Sequence, residues 1–162
     1  AVAELYDLTN QQPFGDLDIE DQHITPEQLR QMEANQAARG NQRWTFYLVE
    51  RSSGKFAGYS DTLWNANRPE ILQQMMTGVF PQHRKRGLGR WLKAAMLEKV
   101  LAERPQVKYV RTGNADSNAA MLKINHELGF QPYMAEALWQ ATVEQVETYL
   151  AAPETPAASR AQ

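Results

Sequence analysis

The pattern of apolar positions predicts one long amphipathic helix near the middle of the chain. Apolar side chains recur there every four positions, at Leu88, Leu92, Met96 and Val100. This spacing places them on one face of a helix, so we expect that face to pack against the core. Pro105 cannot continue a helix, and the helix is therefore predicted to end near Arg104.

Three runs rich in aromatic and β-branched residues precede this helix and predict an antiparallel sheet. The runs cover residues 43–50 (RWTFYLVE), 56–64 and 71–80. Turn residues at Ser53-Gly54 and at 65–69 separate them, so consecutive strands are expected to pair. A fourth run, 107–112, follows the helix. The order of strand, crossover helix and strand predicts a parallel or splayed pair.

The segment after the fourth strand predicts one more helix and a final stretch of sheet. Asp116 or Ser117 can cap this helix, and Gly129 can supply its left-handed end. Phe130 is expected to start the last sheet segment. Residues 138–150 show alternating and helical patterns together and are predicted as a strand. The Ala/Pro-rich residues 151–162 predict a flexible tail or the start of a linker.

The first 40 residues are acidic and predict two helical pieces. This segment contains eight carboxylates and only two arginines. Pro13 and Gly15 interrupt it after a short helical piece. A second helix is predicted to begin at Thr25-Pro26, with Thr25 and Gln28 forming a capping box.

Length and composition limit the class of protein. A chain of 162 residues with 43% hydrophobic content can bury one core, so we expect one domain over 1–150. The net charge of -2 argues against a dedicated nucleic-acid binder, which needs a broad basic face. No apolar run is long enough to cross a membrane.

The chain lacks cysteine, which excludes disulfides and a cysteine nucleophile and favours a cytoplasmic location. Its histidines lack the spacing of a metal site. Because the first residue is not Met, a processed chain or a piece of a longer one is expected.

Residues 79–93 (VFPQHRKRGLGRWLK) combine a strand end, a cation-rich turn and a helix start. Arg84, Lys85 and Arg86 bring positive charge to a turn in which Gly87 and Gly89 lack a Cβ, so backbone N–H groups can approach an oxyanion closely. The unsatisfied N–H groups of the first helical turn favour the same ligand. The stretch therefore predicts a phosphate site, although its spacing matches neither the P-loop nor the dinucleotide fingerprint. A solvated basic helix N-terminus is the alternative.

Two motifs of the chain resemble those of the GNAT superfamily of N-acetyltransferases. Arg84-x-x-Gly87-x-Gly89, with Val79-x-Pro81 before it, resembles the acyl-CoA pyrophosphate loop of that family. A second match, from Asn118 to Gly129-Phe130, stands at the interval that the family requires. The resemblance covers about 43–133 and implies an α/β (α+β) fold. Its central sheet would be mixed and mainly antiparallel, flanked by helices, with a splayed strand pair at the cofactor cleft.

The element order is also similar to the C-terminal halves of tandem GNAT proteins. The family usually opens with a strand before its first helix, and residues 1–5 are too short to supply a good one. In tandem proteins that strand can come from another part of the chain. A companion GNAT domain or a second copy of the chain is therefore an expected partner.

The resemblance implies acetyl-CoA, or another acyl-CoA, as the cofactor, with no metal. The pantetheine arm would lie along the backbone of Thr77, Gly78 and Val79. Asn118 would bond to nearby cofactor groups or act only as a helix-start residue. The pyrophosphate would lie on a run of loop residues formed by Arg84, Lys85, Arg86, Gly87, Leu88, Gly89 and Arg90.

Two positions depart from the family pattern. Asn125 stands where the family's usual tyrosine acid would be, and Gln73 stands where many relatives carry a glutamate base. Neither amide can transfer a proton, so catalysis would depend on positioning. A water relay could take the amine's proton and end on Glu70, on Asp61 or on a carboxylate of the acidic segment 16–21. The Val79 backbone N–H would polarise the thioester carbonyl.

The resemblance implies transfer of an acetyl group to the amine of a small molecule or peptide. The alternative is a catalytically silent acyl-CoA-binding domain of a tandem protein. Four carboxylates between the first two helices would attract a cationic amine, or form only a solvated turn. They are Asp16, Asp18, Glu20 and Asp21, here called the acidic loop.

Overall fold

A computed structural model of the chain describes residues 2–13, 15 and 17–151. The chain divides into two compact units, Ala1–Gln131 and Pro132–Gln162. The tail predicted beyond residue 151 and Asp16 of the acidic loop lie outside the described residues. The expectation of one domain over 1–150 stays a prediction.

A four-stranded mixed sheet forms the centre of the first unit. Its strands are β1 (Asn41–Val49), β2 (Phe56–Asn65), β3 (Ile71–Val79) and β4 (Tyr109–Arg111), in the order β1-β2-β3-β4. The first three pair antiparallel, and β4 runs parallel to β3. This architecture confirms the predicted mixed, mainly antiparallel sheet flanked by helices.

Helices precede and follow the strands. They are α1 (Val2–Leu5), a 3₁₀ helix (Tyr6–Gln11), α2 (Pro26–Ala38), a second 3₁₀ helix (Pro81–His83), α3 (Leu88–Glu103), α4 (Ala119–Glu127) and α5 (Val143–Ala151). Thr25 and Gln28 form the predicted capping box, with N···O distances of 3.2 and 2.9 Å. The helix α3 ends one residue before Arg104, as its pattern and Pro105 predict. Residues 2–5 are helical, so no strand precedes β1 in the described residues.

Two local predictions at the ends of α4 are wrong, each because of how the helix is capped. The α4 N-cap is Asn118, rather than Asp116 or Ser117, because Asn118 Oδ1 accepts from the Met121 N–H at 3.2 Å. Phe130 starts no strand, and its N–H bonds to the Asn125 carbonyl at the end of α4. No strand occurs within 130–142.

The C-terminal stretch predicted as a strand over 138–150 is instead the helix α5. Thr142 and Gln145 form a reciprocal cap at its start, with N···O distances of 2.8 and 3.1 Å. Val143, Val146 and Leu150 lie three or four residues apart, a spacing that fits a helix. This stretch contains both the alternating pattern of a strand and the spacing of a helix. Its capping box, S/T-x-x-E/Q at Thr142 and Gln145, favours the helix.

The sheet of the first unit has an apolar cluster on each face. One cluster contains Leu48, Ala57, Val79 and Leu92. The other contains Leu5, Leu8 and Tyr59. Helix α3 and the N-terminal helices therefore cover opposite faces of the sheet.

A buried ion pair adjoins the N-terminal cluster. Asp61 is 3% exposed, and its Oδ2 accepts from Arg43 Nη2 at 2.5 Å and from Arg43 Nε at 2.8 Å. The Arg43 guanidinium also lies 5.4 Å from the centre of the Tyr6 ring. Burial raises the pKa of the Asp61 carboxyl, and the Arg43 charge opposes that rise.

Across 2–13, 15 and 17–151, no helix combines the length and apolar character that a membrane crossing requires.

Candidate functional site

A cleft opens where β3 and β4 diverge. The two strands pair only at Ile71–Gln73 with Tyr109–Arg111, and β3 then continues to Val79. The cleft has a volume of about 390 Å³. Its lining comes from the first 3₁₀ helix and its C-cap (Thr9, Gln12), β3 (73–77), α3 (Lys93), the segment after β4 (112–114) and the N-cap and first turn of α4 (Asn118, Met121).

The backbone of β3 is irregular where it lines the cleft. Ser60 pairs with Thr77 and Thr62 with Gln74, so Met75 and Met76 together oppose Asp61. Such a bulge leaves a residue outside the hydrogen-bond ladder. Beyond Gln73, β3 also has no partner strand on its β4 side within the described residues. Backbone groups of β3 are therefore available to a ligand that carries amide groups.

A buried polar cluster lies behind the bulge. Gln74 Nε2 donates to Ser60 Oγ at 2.9 Å and to the Asp61 carbonyl at 3.0 Å, and Ser60 Oγ lies 2.8 Å from Thr77 Oγ1. Gln74 Oε1 is buried and has no hydrogen-bond partner among the described residues. A buried acceptor without a donor costs free energy. A ligand N–H in the cleft would remove that cost.

The cation-rich loop after β3 ends at an uncapped helix N-terminus. Gly87 is the N-cap of α3 with φ of +75°, and no side chain caps the helix there. Lys85 also has a positive φ, of 62°. A Cβ added at Gly87 would meet no heavy atom within 4 Å. The space beside Gly87 is therefore open, and no side chain caps the first N–H groups of α3, which favours an anion as their partner.

Arg84 stabilises this loop as well as adding charge to it. Its Nε donates to the Val79 carbonyl at 2.8 Å, and its Nη2 donates to Gln11 Oε1 at 2.5 Å. The loop is therefore tied both to the end of β3 and to the first 3₁₀ helix. Arg90 Nη1 donates to Glu127 Oε2 at 3.1 Å and ties the start of α3 to α4.

Lys93 is a charged cleft residue that the sequence interpretation missed. It is 1% exposed, and its Nζ donates to Asn125 Oδ1 at 2.6 Å. Asn125 Nδ2 in turn donates to Asn114 Oδ1 at 2.5 Å. Burial lowers the pKa of Lys93 to about 8. The available signal was its place beside Leu92 and three residues before Met96, within the apolar stripe of α3.

The structure brings some of the predicted site residues together and leaves others outside the cleft. Gln73, Thr77 and Asn118 line it, and Asn118 Oδ1 is already used by the Met121 N–H. Asn125 contacts the cleft through Lys93. Glu70 is exposed and pairs with Lys108 at 2.5 Å. Asp61 is buried with Arg43, so neither carboxylate belongs to the cleft lining.

Gly78 and Val79 also lie outside the cleft lining, although they continue its strand. The side chain of Val79 packs with Leu48 and Leu92, so only its backbone could serve a ligand. A Cβ at Gly78 would lie 3.1 Å from Leu8 Cδ1, which leaves little room for a larger residue. The roles predicted for these two residues stay predictions.

The described part of the acidic loop lies next to the first 3₁₀ helix. Asp18, Glu20 and Asp21 are exposed. Asn10 and Gln22 exchange two hydrogen bonds of 3.0 Å, and His23 Nδ1 lies 3.1 Å from Asp7 Oδ1. The loop is therefore anchored to the helix that supplies Thr9 to the cleft. Over 2–13, 15 and 17–151, no three acidic or histidine side chains are grouped as metal ligands.

The comparisons with known proteins identify the fold. No protein-family model and no curated protein sequence matches the chain. Among solved structures, a tandem GNAT protein from the clavulanic acid biosynthesis pathway is 37% identical over 66% of this chain, with a TM-score of 0.63. The chain spans 33% of the length of that protein.

Two more distant structures cover more of the chain. An acetyltransferase from Trypanosoma brucei is 15% identical over 86% of this chain and 92% of its own, with a TM-score of 0.60. Glucosamine-6-phosphate N-acetyltransferase from Arabidopsis thaliana is 13% identical over 84% of this chain and 87% of its own, with a TM-score of 0.58. These two likenesses establish the fold alone. The chain therefore has the fold of the GNAT superfamily of N-acetyltransferases, and it is similar in sequence to part of a tandem GNAT protein.

Proposed function

We propose that the protein transfers an acetyl group from acetyl-CoA to an amine. One observation carries the proposal: the cleft beside β3 adjoins the helix whose uncapped N-terminus follows the cation-rich loop. Lys93 lines the cleft six residues after Gly87, which is about 9 Å along a helix axis. A ligand with an amide-containing arm and a diphosphate fits both features together.

The residues of the chain fit acetyl-CoA in three places. Backbone groups of β3 beyond Gln73 would bond to the pantetheine amides, and the buried Gln74 Oε1 would accept one N–H. The N–H groups that follow Gly87, with the charges of Lys85 and Arg86, would hold the diphosphate. Asn118 would use its remaining N–H groups on the same arm.

Acetyl-CoA supplies an acetyl group activated as a thioester. A backbone N–H of β3 would polarise the carbonyl, as an oxyanion hole does. The bulge residues Met75 and Met76 line the cleft, whereas Val79, the residue first predicted for this role, lies beyond it. Orientation of a neutral amine against the thioester would supply much of the rate.

A catalytically silent acyl-CoA-binding domain is the second candidate. The observation that favours it is the pair of amides, Gln73 and Asn125, at the positions where the family resemblance places base and acid. Both polar atoms of the Asn125 side chain are occupied, by Lys93 and Asn114. The two candidates share the cofactor and differ in turnover.

Release of free thiol distinguishes the two candidates. When acetyl-CoA is mixed with the protein and a panel of amines, we expect at least one amine to accelerate thiol release above the rate without amine. Release should follow the protein concentration. If acetyl-CoA binds in a titration while no amine in a broad panel accelerates release, the silent domain replaces the enzyme.

We also propose that the acidic loop attracts the amine. Its described carboxylates, Asp18, Glu20 and Asp21, are exposed, and Gln22 next to them is bonded to Asn10 of the 3₁₀ helix that lines the cleft. Clustered negative charge raises the local concentration of a cation, and salt screens this effect. Phosphate binding at α3 would be little affected by the same charges.

Neutralising Asp16, Asp18, Glu20 and Asp21 to Asn or Gln should raise KM for a cationic amine about 3- to 10-fold at low salt. The affinity for CoA should stay nearly unchanged. A matched control neutralises four other exposed carboxylates, Glu27, Glu33, Glu98 and Glu103. The loop has no role in acceptor binding if both fourfold variants show the same KM as the unmodified protein.

A further inference from the structure

The proposed function assigns no group to the proton that the CoA sulfur takes up. When the thioester bond breaks, its electron pair goes to sulfur, and a thiolate must then be protonated or stabilised. The position at which a tyrosine would do this holds Asn125. Asn125 cannot give up a proton of its own, but it is hydrogen-bonded to Lys93, the one charged side chain among the described residues that line the cleft.

We propose that the Lys93 ammonium is the general acid that protonates the CoA sulfur, with Asn125 and Asn114 as its positioning residues. This inference rests on the proposed function. Lys93 reaches the cleft from α3, Asn125 from α4, and Asn114 from the segment after β4. Three separate segments therefore hold one nitrogen atom in place.

The hydrogen bonds leave Lys93 able to serve a ligand. An ammonium has three donors and no acceptor. Asn125 Oδ1 accepts one of them at 2.6 Å, and the part of the chain that the structure describes offers no second acceptor within hydrogen-bond distance. The nitrogen also lies 5.0 Å from the centre of the Phe130 ring, a contact that favours the charged form. Two N–H groups therefore remain for a group bound in the cleft.

Among the described residues, no carboxylate lines the cleft beside Lys93. The other residues of the cleft lining are threonine, glutamine, methionine, glycine and asparagine. On the flanking helices, Arg90 and Glu127 pair with each other. Burial is thus the cause of the lowered pKa of Lys93, about 8. A cysteine thiol has a pKa of about 8.5, and an alkyl thiol such as that of CoA is a weaker acid, so proton transfer from the Lys93 ammonium to the CoA thiolate is favourable.

Bonds, electrons and protons all balance in this transfer. The C–N bond to the amine forms, the C–S bond breaks, and its electron pair passes to sulfur. Lys93 changes from NH₃⁺ to NH₂ as the sulfur becomes a thiol. The amine's surplus proton leaves to water, and water returns a proton to Lys93. No oxidant or further reactant is required.

If Lys93 had only a structural role, its replacement would have different effects. Such a residue would hold α3 to α4 through Asn125, and its removal would change stability and CoA affinity without altering the pH profile. An electrostatic role would need only the positive charge, which arginine keeps at every accessible pH. A proton donor must instead lose its proton in each turnover.

The test compares Lys93→Met and Lys93→Arg with the unmodified protein and with Lys123→Met, a change at an exposed lysine of α4. We expect kcat to fall about 100-fold in both Lys93 variants and not in Lys123→Met. The Kd for CoA should stay within about threefold. In the unmodified protein kcat should fall as pH rises above about 8, because Lys93 must be protonated, and this limb should be absent from both Lys93 variants. Full activity in Lys93→Arg, or an unchanged pH profile in Lys93→Met, would overturn the proposal.

A second measurement does not depend on turnover or on the stability of a variant. In protein labelled with ¹³C at lysine Cε, one lysine should titrate near pH 8, and free CoA should shift that resonance. If no lysine titrates below about pH 9.5, or CoA leaves the resonance unmoved, Lys93 is not the acid. If the unmodified protein releases no thiol with any amine, the proposed function fails, whereas normal release by Lys93→Met contradicts the role of Lys93 alone.

Discussion

Replacing Arg43 by methionine should lower the free energy of unfolding by about 3–5 kcal/mol, the typical cost of leaving a buried charge without its partner. Asp61 is 3% exposed and accepts two hydrogen bonds from the Arg43 guanidinium. Methionine keeps much of the side-chain volume and removes the charge. The contact between the guanidinium and the Tyr6 ring would be lost as well.

Urea denaturation of Arg43→Met against Arg51→Met measures this loss. Arg51 is exposed in the turn between β1 and β2, so its replacement should change stability by no more than about 0.5 kcal/mol. The Arg43→Met loss should also shrink as pH falls. Burial already raises the pKa of Asp61, and without Arg43 the carboxyl protonates more readily, after which no buried charge remains. Equal losses in the two variants, or a loss that is independent of pH, would show that the pair contributes little.

The ion pair also shows why Asp61 was interpreted as a proton acceptor from sequence. Nothing near Asp61 in the chain indicates that Arg43, 18 residues earlier, is its partner. The hairpin register brings them together, with Thr45 opposite Asp61 and Arg43 opposite Leu63. That register includes an irregularity at Leu48/Val49. A one-residue uncertainty in such a register moves side chains to the other face of the sheet.

Elements whose signals are local were predicted well. The strand ends of β1, β2 and β3 lie within two residues of their predicted positions, because aromatic and β-branched runs are bounded by turn residues. The start of α2 was predicted by Thr25 and Gln28, which bond to each other within one turn. The helix after the glycine loop was predicted because its apolar positions are close together in sequence, and anion binding at the loop stays a prediction.

Features that depend on contacts between distant segments were predicted poorly. The network of Lys93, Asn125 and Asn114 joins three segments, and only the apolar neighbours of Lys93 indicated its burial. The stretch before α5 contained both periods, and a side-chain cap decided between them. Glu70 was suggested as one possible end of a water relay, whereas the structure pairs it with Lys108 at the surface.

Replacing Gly87 by valine should weaken acetyl-CoA binding by a factor of ten or more, which corresponds to at least about 1.4 kcal/mol. Gly87 has φ of +75°, a conformation that is strained for a β-branched residue. The added side chain would also occupy the open space next to the first N–H groups of α3. The backbone donors proposed for the diphosphate would be blocked and turned away together.

Gly54→Val is the matched control for this change. Gly54 also has a positive φ, of 68°, and a Cβ there would meet no heavy atom within 4 Å. It lies between β1 and β2 and is not part of the cleft lining. Both variants therefore introduce similar backbone strain, and only Gly87→Val changes the proposed anion site.

Calorimetric titration of acetyl-CoA into the unmodified protein, Gly87→Val and Gly54→Val tests the central claim most directly. We expect saturable binding at one site in the unmodified protein and the same affinity in Gly54→Val. In Gly87→Val we expect binding at least tenfold weaker, while thermal unfolding shows that the variant remains folded. Absence of binding to the unmodified protein, or equal affinity in a folded Gly87→Val variant, would contradict the claim that this loop and cleft form an acyl-CoA site.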